Sequence, residues 1–473
     1  MPTTCCKGPG FPTPKDAATK GERERLLYVV CVRKSEGGDE ATPDYIATVD
    51  VDPQSSTYCK VIHRVMMPNA DDELHHTGWN ACSSCFEDSS QARRFLVCPA
   101  VNTSRVNILD VNTDPRAPTL YKVVGPEVLE SVDRTNPHTV HCLGSKQVML
   151  STMGDKKGNG KGGFVLLDNE NFELDGVWEA EGETTPFGYD FWYQPRHNVM
   201  ISTEWGAMTY ALKGFNPEHV ANGFYGSSLH VWDWEKRTKV KTIDLGTTDG
   251  MMPLEIRFFH EPTRAEAFVG CALSGTVFYI YKDQEGEWRA DKVISVGALS
   301  VEGWALPQMP AVISDILISM DDRFLFFSCW MLGELRQYDV SDPLHPKLVG
   351  KVRIGGIPSC SPGLKVLDEG VEPYEETVVN GKKIVGAPQM IQLSLDGKRM
   401  YVSTSLISAW DNQFYPGLSK KGGDILQVSV NTEEGGLRLD PSFHVDLSGE
   451  PGGPSVAHEM RYPGGDCSSD IWL

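Results

Sequence analysis

From Leu26 onward the chain alternates short β-branched and aromatic runs with Gly, Pro, Asp and Asn. LLYVVCV, YIATVDVD, CKVIHRV, FLVCPA, VNILDV and LYKVV follow one another with no helical period between them, which predicts strands joined by turns. One unit recurs: an apolar strand ending on an acid, a polar turn, then a second strand. Its copies are YIATVDVDPQSSTYCKVIHRV, VNILDVNTDPRAPTLYKVV, FVLLDNENFELDGVWE, LHVWDWEKRTKVKTIDL, FYIYKDQEGEWRADKVISV, LRQYDVSDPLHPKLVGKVRI and LQVSVNTEEGGLRLDPSFHVDL. Six carry an acidic anchor, at Asp50, Asp110, Asp168, Asp233, Asp283 and Asp339; the seventh has Ser429-Val430 there. Anchors are spaced about 50–65 residues apart, and the longer last step marks an insertion at about 356–385.

A second hairpin precedes each copy, clearest in SDILISMDDRFLFFSCW and PQMIQLSLDGKRMYVSTS, where Asp-Asp and Asp-Gly make the turns. Two hairpins give four antiparallel strands, the size of one propeller blade. The expectation is an all-β chain: a seven-bladed β-propeller over residues 25–473, after a loose lead-in over 1–24. The first copy lacks a preceding hairpin and AHEMRYPGGDCSSDIWL reads as a hairpin without a copy, so the two ends are expected to complete one blade and close the ring.

Composition narrows the setting. The chain has 473 residues, 40% of them hydrophobic, with no apolar run near the ~20 residues of a membrane span. MPTTCCKGPGFPTP has no apolar signal region, which predicts a cytoplasmic protein whose 12 cysteines are thiols or ligands. A net charge of −20 excludes nucleic acid as the main partner.

Candidate chemistry sits in the predicted first strands, which line a propeller's channel. ELHHTGWN at Glu73–Asn80, PHTVHC around His138 and His141, and VAHEMR around His458 share one frame. Five histidines, His75, His76, His138, His141 and His458, thus converge, with Asp190, Glu255, Asp315 and Glu459 opposite. Imidazole suits copper, zinc, iron or nickel, and nearby carboxylates can orient ligands or move protons. His63, His230 and His444 fall in outer strands; His197, His219, His260 and His345 fall in turns.

Cys82 and Cys85 make a CxxC on the loop after HHTGW, close enough to the channel for a sulfur to join the site. Cys142 and Cys467 lie near the proposed site, Cys59 sits beside Tyr58 in an outer strand, and Cys5-Cys6 is exposed to oxidation. KKGNGKGGF lacks the Lys-Ser/Thr ending of a phosphate loop and leads into a strand, so it reads as a loop at the channel mouth.

LHHTGWNACSSCF, KGNGKGGFVLLD, GYDFWYQPRHNVMISTEW, QLSLDGKRMYVSTS, SAWDNQFYP and AHEMRYPGGDCSSDIW closely resemble the selenium-binding protein family, which has methanethiol oxidase members. The resemblance runs from about residue 25 to the end; the adjacent Cys5-Cys6 departs from the family's spaced pair. It implies a seven-bladed propeller and a copper-dependent oxidase turning methanethiol, dioxygen and water into formaldehyde, hydrogen sulfide and hydrogen peroxide. It also implies a cytosolic protein with nuclear and peripheral-membrane pools, and selenium held at Cys59. Within that chemistry Glu459 or Asp190 is the expected base, and Trp79 and Tyr189 wall the pocket. Two other readings stand beside it: a selenium or thiol carrier centred on Cys59, with Cys82 and Cys85 as further thiols, and a scaffold for protein partners, including a role in intracellular protein transport.

Overall fold

The computed structural model describes residues 8–33, 42–466 and 470–473. Cys5, Cys6 and Cys467 lie outside them. Among the described residues, seven four-stranded antiparallel sheets follow one another along the chain. The second runs Gly78–Trp79, Phe95–Pro99, Val106–Asp110, Thr119–Val124, and the third Thr135–Leu143, Gln147–Gly154, Gly160–Asp168, Leu174–Val177. The fourth to seventh begin with Phe191–Gln194, Pro253–Phe258, Ile313–Ile318 and Ile391–Leu393. These opening strands are wholly buried, whereas closing strands such as Thr238–Asp244 alternate exposed residues, Val240, Thr242 and Asp244, with half-buried ones. That gradient is why middle strands read as continuous apolar runs and closing strands as alternating ones.

The first sheet is built from both ends. Leu26–Val32, Tyr45–Asp50 and Lys60–Met66 supply three strands, and Val456–Arg461 pairs antiparallel with Leu26–Val32. The C-terminal segment therefore contributes one strand, not the expected hairpin, because LLYVVCV already supplies the second. Tyr28, Val30 and Ile46 of this sheet share a buried cluster with Leu96 and Leu109 of the second, while Leu27 and Val49 share one with Tyr401 and Val428 of the seventh.

The acidic anchors end strands as the pattern predicts, and the structure gives the reason. Asp50, Asp110, Asp168, Asp233, Asp283 and Asp339 each accept, through Oδ1, the backbone N–H of a residue two or three further on, at 2.8–3.1 Å. In the seventh sheet Asn431 does this, accepting from Glu433 N at 2.9 Å. An amide oxygen caps a turn as a carboxylate does, so a search for acids alone missed it. Asn431→Ala should cost about 1 kcal/mol, read as a melting temperature lowered by roughly 1–2 °C, while Asn431→Asp should leave it unchanged; equal stability of all three proteins would contradict the capping role.

The lead-in is not loose throughout. Thr13 caps the helix Pro14–Lys20, and Ala17 is fully buried against the sheets. Residues of the expected insertion form a short helix, Ile357–Cys360, and strands; Lys365–Val366 pairs with Leu299–Glu302 and Val378–Val379 with Lys382–Lys383. KKGNGKGGF makes a tight turn in which Asp155 Oδ1 accepts from Lys157 N and Asn159 N, and then enters Gly160–Asp168. No helix among the described residues is long and apolar enough to cross a membrane.

Candidate metal centre

Four of the five predicted histidines meet. His75 and His76 precede the short strand Gly78–Trp79, His138 lies on Thr135–Leu143 and His458 on Val456–Arg461, so the first three sheets each deliver part of the cluster. All four are at most 3% exposed. The His75 and His458 rings stack with centroids 3.8 Å apart, His76 and His138 lie 4.1 Å apart, and His75 and His76 4.8 Å apart. Ligand nitrogens of His75, His76 and His458 lie within 4.8 Å of one another, a grouping that could hold a metal ion.

The hydrogen bonds sort the ring nitrogens into two roles. His458 Nδ1 hydrogen-bonds with the Ser405 carbonyl at 2.9 Å and His138 Nδ1 with Thr139 Oγ1 at 3.0 Å, while His76 Nδ1 lies 3.1 Å from the Glu459 Oε1 carboxylate oxygen. The Nε2 atoms of the same three rings are buried with no hydrogen-bond partner among the described residues. A buried polar atom left unpaired costs roughly 1–3 kcal/mol, and three in one place need a reason. Imidazoles that ligate a metal show this division: one nitrogen fixed by an outer partner, the other lone pair turned inward. The residues fit a metal.

Electrostatics keep the rings in the ligand form. Burial, reinforced by neighbouring imidazoles, holds His75, His76 and His138 well below the usual histidine value. Burial likewise lowers His458 to about 4. All four are neutral at pH 7.

Carboxylates reach the cluster from two further directions. Glu459 Oε2 accepts from Thr77 N and, at 2.7 Å, from Thr77 Oγ1, and its Oε1 accepts from Arg461 Nη2 at 2.7 Å. Glu255, on the fifth sheet, brings Oε1 within 3.5 Å of His76 Nε2. Burial and the Asp190 charge push the Glu255 carboxyl well above its usual range, and burial also raises Glu459. Asp190 is used differently. Its oxygens accept from Phe191 N at 2.8 Å, Ile256 N at 2.9 Å and Arg257 Nη1 at 2.8 Å. Burial raises its carboxyl, but Arg257 and the Ile256 N–H outweigh this and hold it below the usual range. Asp315 repeats the clamp between the sixth and seventh sheets through Ile316 N and Ile391 N, with its carboxyl pushed up to about 7 by burial. Glu255 stood in the predicted ring, yet its closeness to His76 depends on two sheets distant in sequence.

The remaining predicted residues separate. Tyr189 packs on His138 with centroids 3.9 Å apart and edges His76 at 6.1 Å, where a pocket wall was expected. Trp79 turns away: its indole edges Tyr28 and lies under Arg93, with Nε1 3.4 Å from Asp466. His141 stands apart in an aromatic cage of Phe191, Trp192 and Tyr193. Cys59 sits at the turn before Lys60–Met66 with φ 61°, half-buried beside Tyr58, its thiol pushed up by burial. The sulfurs of Cys82, Cys85 and Cys142 gather with one another and not with the imidazoles.

His141 gives a direct test of these buried rings. Burial holds it at about 4 against an ordinary value of 6.5. Between those values the unfolded chain binds more protons, so acidification works against the fold. Asp44 and Asp411, raised to about 7 by burial, act in the opposite sense, losing stability as pH rises. The imidazole share is therefore read as a difference: between pH 7 and pH 4.5, His141→Gln should gain on wild type by up to about 2–3 kcal/mol. A difference that stays constant with pH would refute the assignment.

Comparison with known proteins gives a consistent answer. The family model described as "56kDa selenium binding protein (SBP56)" matches residues 5–473. A Xenopus tropicalis protein named methanethiol oxidase is 58% identical over 469 residues, covering 98% of each chain. The Homo sapiens protein of that name is 55% identical over 477 residues, covering 100% of each. Among solved structures, a hypothetical selenium-binding protein from Sulfolobus tokodaii superposes with a TM-score of 0.87 at 37% identity, covering 98% of both chains.

Proposed function

The chain belongs to the 56 kDa selenium-binding protein family, and on that premise we propose that it is a copper-dependent methanethiol oxidase. The overall reaction balances with one molecule of each species: methanethiol, dioxygen and water give formaldehyde, hydrogen sulfide and hydrogen peroxide. One observation carries the reading: the Nε2 atoms of His76, His138 and His458 are buried without a hydrogen-bond partner among the described residues, while Nδ1 is hydrogen-bonded in His138 and His458 and lies 3.1 Å from Glu459 Oε1 in His76. With His75 they would hold the metal. Imidazole donors and a soft thiol substrate both favour copper, which when bound would take electrons from the substrate sulfur and pass them to dioxygen.

The chain's own groups handle position and protons. Tyr189 packs on the His138 ring and closes one side of the site. Glu459 holds His76 through Nδ1 and is one carboxylate that could receive the thiol proton. Glu255, its carboxyl pushed well above the usual range by burial and the Asp190 charge and its Oε2 paired with Arg257 Nη2 at 2.9 Å, stands beside His76 Nε2. Asp190, the other candidate base, is committed to Arg257 and two backbone N–H groups, and serves to clamp the fourth sheet to the fifth.

In this reading the seven sheets are the blades of one closed propeller domain over 25–473, with 356–385 as an insertion. The first sheet's contacts with both the second and the seventh support it. We place the protein in the cytoplasm with nuclear and peripheral-membrane pools. Purified protein loaded with copper should release hydrogen sulfide and hydrogen peroxide in equal amounts from methanethiol under air. Fully loaded protein that releases neither would overturn the oxidase reading.

A further inference from the structure

Away from the imidazoles the chain builds a second cluster of reactive groups. Cys82 precedes the turn Ser83–Cys85 and Cys85 ends it, and Cys142 lies on the third sheet's opening strand. All three are buried, at 1%, 5% and 2% exposure. The Cys142 and Cys82 sulfurs stand 2.7 Å apart, between packing contact and the about 2.05 Å of a bonded pair. The Ser84 hydroxyl, half-buried above them, reaches Cys82 at 3.2 Å, Cys142 at 3.7 Å and Cys85 at 3.8 Å. Buried Arg93 places its positive charge near Cys82. Cys142 is four residues beyond His138, about 13 Å along an extended strand, so this is a separate site.

We propose that Cys82, Cys85 and Cys142 form a hydroperoxide-reactive thiol site whose oxidised state is a Cys82–Cys142 disulfide. Cys85 is the attacking group: its sulfur lies 3.8 Å from the Ser84 hydroxyl, and the neighbouring Cys142 thiol, the largest influence on it, lowers its pKa toward the thiolate. The thiolate attacks one peroxide oxygen, the O–O bond breaks, and a Cys85 sulfenic acid and, after proton uptake, one water result. The Cys142 thiol then displaces the second oxygen as water, giving a Cys85–Cys142 disulfide. Attack by Cys82 on the Cys142 sulfur moves the bond to Cys82–Cys142 and returns Cys85 to its thiolate. In sum two thiols lose two electrons and two protons, and one hydrogen peroxide becomes two waters.

The consequence is structural. Cys82 follows His76 by six residues and Cys142 follows His138 by four, so the new bond joins the two segments that carry these imidazoles. The proposed oxidase reaction would deliver such a peroxide beside the site, but the thiol chemistry needs only peroxide from any source.

The test uses the purified full chain and added hydrogen peroxide, independent of metal and turnover. After brief exposure, the protein is alkylated in denaturant and digested without reduction, and peptides are mapped by mass spectrometry. A dithiothreitol-reversible cross-link between the Cys82 and Cys142 peptides should dominate, with loss of both free thiols. Cys85→Ser should slow its formation at least about tenfold, and dimedone present during peroxide exposure of the wild-type chain should label Cys85 in preference to Cys82 and Cys142. A cross-link confined to Cys82 and Cys85, or full alkylation of all three thiols while Cys59 is oxidised, would overturn the proposal.

Discussion

Replacing His458 by alanine is expected to weaken metal binding by at least about 100-fold and to abolish methanethiol-dependent release of hydrogen sulfide. The size follows from comparison with outer-shell groups, whose loss alone costs about 10–100-fold in affinity or activity; His458 supplies an inward-facing nitrogen itself. Its ring stacks on His75, so the loss also frees that ring to reorient. The fold should survive, because the strand's pairing with Leu26–Val32 is made by backbone groups. Glu459→Gln keeps every imidazole but disturbs the partner of His76 Nδ1, and should fall in the range of about 10–100-fold. Metal content after dialysis and hydrogen sulfide release read both variants. A His458→Ala protein with undiminished metal and turnover would remove this histidine from the site.

The second large effect is on folding. Ending the chain at Pro454 should give no soluble, cooperatively melting protein. The deletion leaves Leu26–Val32 without its fourth-strand partner and exposes a sheet edge. It also removes buried Val456, Met460, Tyr462, Ile471 and Trp472. At about 1.5–3 kcal/mol for each large apolar side chain, that loss rivals the roughly 5–15 kcal/mol by which domains are stable. The Glu459–Thr77 and Arg93–Asp470 links between the chain end and the second sheet go as well. A truncated chain with the wild-type melting transition would show that the first sheet stands without its last strand.

Much of this architecture was legible because it is local. An apolar run closed by Asp50 or Asp110 is a strand and its turn within a dozen residues, and the repeat multiplied the signal. Aligning the copies places His75, His76, His138, His141 and His458 in one frame, and four of the five meet. What failed depended on which way a side chain faces. His138 and His141 are three apart on one strand whose register shifts between Pro137 and Val140, and one ring enters the cluster while the other packs among aromatics. Trp79 leaves the cluster to pack on Tyr28 and Arg93. The meeting of Cys142 with Cys82, 60 residues away, left no trace in spacing, because it depends on two sheets packing side by side. Asn431 escaped because its chemistry, not its charge, matches the acids it replaces.

The central claim is that the inward-facing imidazole nitrogens of the first three sheets hold the metal, and X-ray absorption at the copper edge of the loaded full chain tests it most directly. The account predicts a first shell of three to four imidazole nitrogens at about 2.0–2.1 Å, the usual metal–imidazole distance, with no sulfur, reduced by a nitrogen in His458→Ala. A shell dominated by sulfur, unchanged in His458→Ala, would move the metal to the Cys82–Cys85–Cys142 cluster and contradict the histidine centre.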